Sequence, residues 1–146
     1  MQKFSRDSFN ANEAINELMY ESGVIVIKNA YNLNDIKEAR EIVNHFADTE
    51  EQKETHFNAE AEASKQIKLQ QRIWNLFGKG DIFSKLISDD IIFSLISKLL
   101  GSEFFCGSYC ASRLLPGSLG QELHIDYPYW DFYNSETFPM GLNSSF

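Results

Sequence analysis

The most informative stretch of the chain covers residues 121–130, which read Gln-Glu-Leu-His-Ile-Asp-Tyr-Pro-Tyr-Trp and follow a turn-like Pro116-Gly117. Alternate residues of a β-strand project from the same face of the strand. On a strand, His124 and Asp126 therefore point at one metal ion, while the residues between and before them point into a core. A histidine and a carboxylate are suitable ligands for a divalent transition metal with open coordination positions.

The elements upstream of this stretch are predicted from hydrophobic spacing and from capping residues. Apolar residues at helical spacing predict a first helix from Asn10 to Glu21, with Asn10 or Asn12 as N-cap and Gly23 as its end. The β-branched run Val24–Ile27 predicts a short buried strand. A second helix is predicted from about Asp35 to Phe46, with its inner face formed by Ile36, Ala39, Ile42, Val43 and Phe46.

The middle of the chain is polar from Asp48 to Lys65 and forms either a solvated extension of the second helix or a mobile loop. We interpret it as solvated surface rather than as an acidic recognition tail. Two further helices are predicted from Asp81 to Ile87 and from Asp89 to Leu100, the second with Ser88 as its cap and Gly101 at its end. Helices come first and strands later, and this order predicts an α+β fold. The predicted late strands are one or two within Glu103–Leu115 and another at Glu122–Tyr127.

Length and charge limit the classes of function. The 146 residues suit one domain, residues 1–146, and 43% of them are hydrophobic. The net charge of −8 argues against a nucleic-acid partner, since such partners are bound by Lys and Arg. No apolar run approaches the roughly 18–20 residues that span a bilayer. The N-terminal residues also lack the apolar region of a secretory signal, so we expect a cytoplasmic protein without a membrane span.

The two cysteines, Cys106 and Cys110, lie four residues apart on a predicted strand. That spacing places them on one face and about 13 Å apart, which is too far for a disulfide. No second Cys/His pair lies at a spacing useful for zinc. We therefore interpret the cysteines as small buried thiols.

Several features occur in the order found in one enzyme family. They are the segment Ser22–Ala30, with its glycine and four apolar residues, the run Leu86–Gly101, the sequence Leu114–Gly117, Gln121, and the stretch His124–Trp130. In these features the chain resembles the phytanoyl-CoA dioxygenase family of Fe(II)/2-oxoglutarate-dependent oxygenases. The resemblance spans nearly the whole chain, and its specific part lies between Leu99 and Trp130.

The resemblance implies a fold, cofactors and a site. It implies N-terminal helices packed on a double-stranded β-helix, the jelly-roll or cupin-like architecture. By position, His124 and Asp126 would be two of three iron ligands, with 2-oxoglutarate and dioxygen at the open positions. The implied reaction is hydroxylation of a small-molecule or lipid-like substrate. No catalytic residue beyond the metal ligands is implied.

Three further residues are candidates for cofactor binding. Trp130 matches a position where some relatives keep an aromatic residue at the co-substrate or substrate pocket, and core packing is its alternative. Gln121 either hydrogen-bonds near the metal or caps the turn. Arg113 either points into the barrel or makes a surface ion pair. Arg72 and Trp74 fall in a segment that often borders the pocket in this family.

The chain departs from the family pattern in two ways. The distal histidine ligand is missing, because neither His45 nor His56 matches it in order or context. The arginine or lysine that pairs with the 2-oxoglutarate carboxylate in this family is missing as well. A double-stranded β-helix needs about eight strands, and roughly half are present. We expect the N-terminal part of a longer oxygenase domain, inactive as it stands, so enzymatic activity is left open. The alternatives are a degenerate relative without catalysis and a non-catalytic module that forms a homodimer or binds a partner through an exposed sheet edge.

Overall fold

The computed structural model describes residues 1–51, 69–118 and 142–145. This part contains four helices and two small two-stranded sheets, neither of them closed, so the α+β prediction is confirmed. In chain order the elements are β1 (Gln2–Ser5), α1 (Ala11–Tyr20), β2 (Ile25–Lys28), α2 (Leu33–Thr49), β3 (Gln70–Ile73), α3 (Asp81–Ile87), α4 (Asp90–Leu100) and β4 (Ala111–Leu114).

The described residues divide into two compact units. The first comprises residues 1–32, 85–105 and 142–145, and the second comprises residues 33–51, 69–84 and 106–118. The first unit is therefore built from segments that are far apart in the sequence. That the whole of residues 1–146 forms one domain stays a prediction.

The first unit pairs β1 with β2 in parallel, with Phe4 opposite Ile27. Its core is formed by Phe4 from β1, Ala14 from α1 and Leu95 from α4. Asn10 is the N-cap of α1, because its Oδ1 accepts the backbone N–H groups of Asn12 at 3.0 Å and Glu13 at 3.3 Å. The predicted helix and one of its two candidate caps are therefore confirmed.

Two predictions for the first unit are corrected. The run Val24–Ile27 was expected to be a buried strand, but Val24 is 46% exposed and Val26 37% exposed. In a two-stranded sheet one face lies on the core while the other meets solvent, so Ile25 and Ile27 are the inner residues. The cap of α4 is Asp89 rather than Ser88, since Asp89 Oδ1 accepts the Ile91 N–H at 3.0 Å.

The second unit packs α2 against both strands of the antiparallel pair β3–β4. Ala39 and Ala47 on α2 are buried, and Ile73 at the end of β3 is fully buried. The rest of the predicted inner face of α2 is half-buried, which agrees with the sequence pattern. Leu115 N–H also donates to the Leu69 carbonyl at 2.8 Å and so continues the strand pairing beyond β4.

A tight turn follows β4. Ser118 N–H donates to the Leu115 carbonyl at 3.0 Å, and Gly117 has a φ of +89°. A positive φ at the third residue, with proline at the second, is the geometry of a type II turn. The Pro116-Gly117 turn is therefore confirmed, while the predicted strand Glu122–Tyr127 lies outside the described residues.

The prediction that both cysteines are buried thiols on a strand is wrong. Neither cysteine lies in a strand, Cys106 is exposed, and Cys110 is only half-buried. Residues 101–110 form no ladder hydrogen bonds, so the alternation of a strand does not govern their side chains. Of the predicted region Glu103–Leu115, only Ala111–Leu114 is a strand.

Candidate functional site

The five candidate site residues fall on both sides of the boundary of the described chain. Gln121, His124, Asp126 and Trp130 lie outside the described residues, and their roles stay predictions. Arg113 is described and lies on β4, opposite Gln71 of β3. The described part of the candidate site is therefore the β3–β4 pair and the turn that leads from it toward the His-x-Asp motif.

Arg113 joins three elements of the second unit. Its Nε donates to Gln71 Oε1 at 2.6 Å, its Nη1 to Asn44 Oδ1 at 3.3 Å, and its Nη2 to Asp48 Oδ1 at 2.5 Å. Asn44 and Asp48 are four residues apart on α2 and thus share one face of that helix. The guanidinium group therefore holds β3, β4 and α2 together, and its role at a co-substrate stays a prediction.

The same contact changes the acidity of a carboxyl group. The hydrogen bond from Arg113, reinforced by the charge of Arg113 and of His45, holds the pKa of Asp48 below its ordinary value. Asp48 is exposed, so solvent screens the pair and its contribution to stability is small. Gln71 adds a second link to α2, because its Nε2 donates to the Ala47 carbonyl at 3.1 Å.

The opposite face of the pair, which we call the outer face, carries Gln70, Arg72, Ser112 and Leu114. Arg72 Nη1 donates to Ser112 Oγ at 3.0 Å across the two strands. The Arg72 guanidinium also lies 5.2 Å from the centre of the Trp74 ring, within the range of a cation–π contact. Trp74 is 43% exposed and Leu114 59% exposed. A guanidinium, a hydroxyl and an indole on one surface can bind a planar or anionic group.

The remaining histidines do not extend a metal site within the described chain. His45 is exposed on α2 and its ring lies edge-on to Phe46, with 5.2 Å between ring centres. His56 lies outside the described residues. In residues 1–51, 69–118 and 142–145, no three His, Cys, Asp or Glu side chains lie close enough together to hold a metal ion.

No helix in the described part of the chain has the length and apolar character needed to cross a membrane.

Sequence reasoning missed the connection of Arg113 with α2. Its two partners on α2 lie 65 and 69 positions from Arg113 along the chain. The available signals were the four-residue spacing of Asn44 and Asp48 and the alternation of β4. Neither signal says that this helix face lies against this strand, because that depends on tertiary packing.

Comparison with known proteins adds no relative to this picture: no protein-family model, curated protein or solved structure matches the chain.

Proposed function

We propose that this chain carries the iron-binding strand of an Fe(II)/2-oxoglutarate-dependent dioxygenase of the phytanoyl-CoA dioxygenase type. The observation that carries the proposal is the stretch His124-Ile125-Asp126-Tyr127-Pro128-Tyr129-Trp130, placed a few residues after Pro116-Gly117. Support comes from the turn at Pro116-Gly117, which precedes this stretch in the sequence and has Gly117 in the left-handed region. In this proposal β3 and β4 belong to a double-stranded β-helix.

The donor set suits Fe(II). A neutral imidazole and an ionised carboxylate, two residues apart on a strand, supply a nitrogen and an oxygen ligand from one face. Bound Fe(II) with 2-oxoglutarate would supply the oxidising chemistry that hydroxylates a small or lipid-like substrate. Gln121 and Trp130 would border the same pocket, and Trp130 would exclude water from it.

In the proposal, the outer face of β3–β4 would contribute the described residues of the site. Arg72 is held by Ser112 and Trp74, so its guanidinium has a defined position rather than a free one. In the proposed pocket this face would lie at the border, where it orients the substrate. Arg113 acts on the other side of the strands, where it fixes β4 to α2.

Two of three protein ligands make a weak metal site, because affinity for a metal depends on the number of ligands and on a formed site. The sequence contains two other histidines, and neither matches the third ligand. We therefore expect this chain to bind Fe(II) without supporting turnover. Succinate release from 2-oxoglutarate should equal that of a metal-free sample, and release well above it would contradict the expectation.

Metal-dependent stabilisation of the chain tests the proposal directly. Anaerobic Fe(II) with 2-oxoglutarate should raise the melting temperature by roughly 8 °C at a hundredfold excess over Kd. His124→Ala and Asp126→Ala should each remove this rise. The matched control is His45→Ala, which deletes an imidazole on α2 and should leave the rise intact. An unchanged melting temperature in the unsubstituted chain rejects the iron site.

A second candidate function is a non-catalytic module that forms a homodimer or binds a partner. The observation favouring it is the exposure of two large apolar side chains, Leu114 on the outer face and Trp74, whose ring contacts Arg72 of that face. Light scattering on the purified chain distinguishes the two functions. A dimer that dissociates in Leu114→Glu, together with a melting temperature indifferent to Fe(II), would favour the module over the oxygenase.

A further inference from the structure

The small sheet of the first unit exposes part of its apolar surface. Val24, directly before β2, is 46% exposed, and Val26 within β2 is 37% exposed. Among the strands of the described chain, β1 and β2 pair only with each other, so each has one edge without a neighbouring strand there. Such an edge presents backbone N–H and C=O groups with which a strand of another molecule can pair.

The run Val24–Ile27 has the composition of segments that associate by strand pairing. Its four residues are all β-branched, and it contains neither a charge nor a proline. Short apolar segments of high β-propensity and low charge associate readily when they lie at an exposed edge. The first unit therefore contains a surface that favours association of chains unless another feature opposes it.

Two lysines lie on the solvent-facing side of this sheet, which we call the lysine face. Lys3 of β1 lies opposite Val26 of β2 in the parallel pairing, and Lys28 follows Val26 by two positions on the same side. Ile25 and Ile27 project from the other side, toward the core. Both lysines are exposed, so their positive charges lie on the same side of the sheet as the exposed valine.

A lysine on this face opposes association in two ways. A partner that covers the face must remove the ammonium group from water, and burying a charge without a partner is costly. Two copies that met through this face would also bring like charges together. Neither β1 nor β2 contains an acidic residue that could neutralise the lysines of another copy.

We propose that Lys3 and Lys28 keep the first unit from associating with other copies of the chain through the lysine face and the edges of its sheet. Lysines on edge strands and charges that flank apolar strands have this protective effect in general. Repulsion by the net charge of −8 is a different effect, because the two lysines make the chain less negative. The proposal is independent of the iron site, since neither lysine belongs to the proposed ligand set.

Replacing both lysines by leucine tests the proposal. Lys3→Leu combined with Lys28→Leu removes two positive charges and so changes the net charge from −8 to −10. Despite the stronger overall repulsion, sedimentation velocity on the full chain should show self-association at least about tenfold tighter than that of the unsubstituted chain. Lys3→Gln combined with Lys28→Gln removes the charges alone and should associate to an intermediate degree. Leucine and glutamine variants that sediment like the unsubstituted chain would overturn the proposal.

Lys37→Leu combined with Arg40→Leu is the matched control. Both residues are exposed on α2, so this variant also adds two leucines and also has a net charge of −10. It should sediment like the unsubstituted chain. Association as strong as that of the lysine-face variant would mean that added apolar surface at any position is sufficient, and the proposed role of the two lysines would be wrong.

New charges on the same face locate the surface that associates. Lys3→Glu combined with Lys28→Glu should associate as weakly as the unsubstituted chain, because a carboxylate is also costly to bury. Adding Val26→Glu to the leucine variant should return its sedimentation to that of the unsubstituted chain. Circular dichroism checks that each variant keeps its helices. Association that persisted after Val26→Glu would show that the leucine variant associates through another surface, which would contradict the proposal.

Discussion

At the scale of single residues, Asp89 makes two interactions at the start of α4. One carboxylate oxygen accepts the Ile91 N–H, and the other accepts from Arg6 Nη1 at 2.6 Å. The same Arg6 nitrogen donates to the Ala30 carbonyl at 2.6 Å. Asp89 is only 11% exposed, so the pair is screened less than a surface pair. One carboxylate therefore fixes the start of a helix and the position of an arginine from the N-terminal segment.

Removing this carboxylate should destabilise the first unit. Asp89→Ala loses both the cap and the ion pair, and we expect a loss of roughly 2 kcal/mol in the free energy of unfolding. Asp89→Asn keeps an acceptor for the Ile91 N–H and should lose less than half of that. Urea unfolding of the two variants measures the difference.

The neighbouring acid provides the control. Asp90 lies one position further along, in the first turn of α4, and is exposed. Asp90→Ala should therefore cost only a few tenths of a kcal/mol through the helix dipole. If the alanine variants at both positions lost the same stability, the assignment of Asp89 as the cap would be wrong.

Tyr31 makes the stability of the fold sensitive to alkaline pH. Burial, and then the charge of Asp89, raise the pKa of the Tyr31 phenol above its ordinary value of 10.0, while Arg6 acts in the opposite direction. The folded chain therefore keeps this proton at pH values where the unfolded chain releases it. The resulting stability is complete below about pH 10 and is lost as the pH rises through the folded-state pKa.

Replacing the phenol should reduce this dependence. The free energy of unfolding of Tyr31→Phe, measured by urea from neutral pH to above pH 10, should fall less with rising pH than that of the unsubstituted chain. Tyr20→Phe is the matched control, since Tyr20 is 76% exposed, and its curve should follow the unsubstituted one. Identical alkaline slopes in all three chains would refute the role of Tyr31.

At the scale of elements, the turn after β4 depends on one glycine. Gly117 has a φ of +89°, and a Cβ there would meet Leu69 Cδ1 at an ordinary 3.8 Å. The cost of a side chain is therefore backbone strain rather than a clash. Gly117→Ala should lower the free energy of unfolding by about 1 kcal/mol, because a left-handed residue other than glycine is strained by that order.

Gly107→Ala is the control for this turn. Gly107 has no left-handed φ and an open position for a Cβ, so alanine should be neutral or slightly stabilising. Chemical denaturation of the two variants compares them. Equal stability of the two would mean that the turn does not require glycine at 117.

Local signals predicted the elements that depend on local chemistry. The cap at Asn10, the end of α4 at Gly101 and the turn at Gly117 follow from single residues whose backbone or side-chain geometry decides the outcome. β1 was not predicted, because four residues beginning at Gln2 carry little pattern of their own. That strand exists through its pairing with β2, which lies more than 20 residues further along the chain.

At the scale of the whole molecule, the hydrophobic pattern of the sequence did not predict the division into two units. The first unit joins residues 1–32 with 85–105, and the second joins residues on either side of 85–105, namely 33–51 and 69–84 with 106–118. No periodicity indicates that Leu95 shares a core with Phe4 and Ala14. The same holds for the candidate site. The sequence predicted that Arg113 lies on a strand, but it did not predict that this strand packs against α2.

The discontinuous first unit has a consequence for the order of events during synthesis. The strand β1, helix α1 and strand β2 leave the ribosome before α4, which supplies Leu95 to the core that they share. Chains grow at about 5–20 residues per second. The side chains of Ile25 and Ile27 are therefore exposed for some seconds before α4 has been synthesised. We therefore expect this apolar surface to stay uncovered during the interval in which residues 33–84 are made. A ribosome that paused within those residues would prolong this exposure.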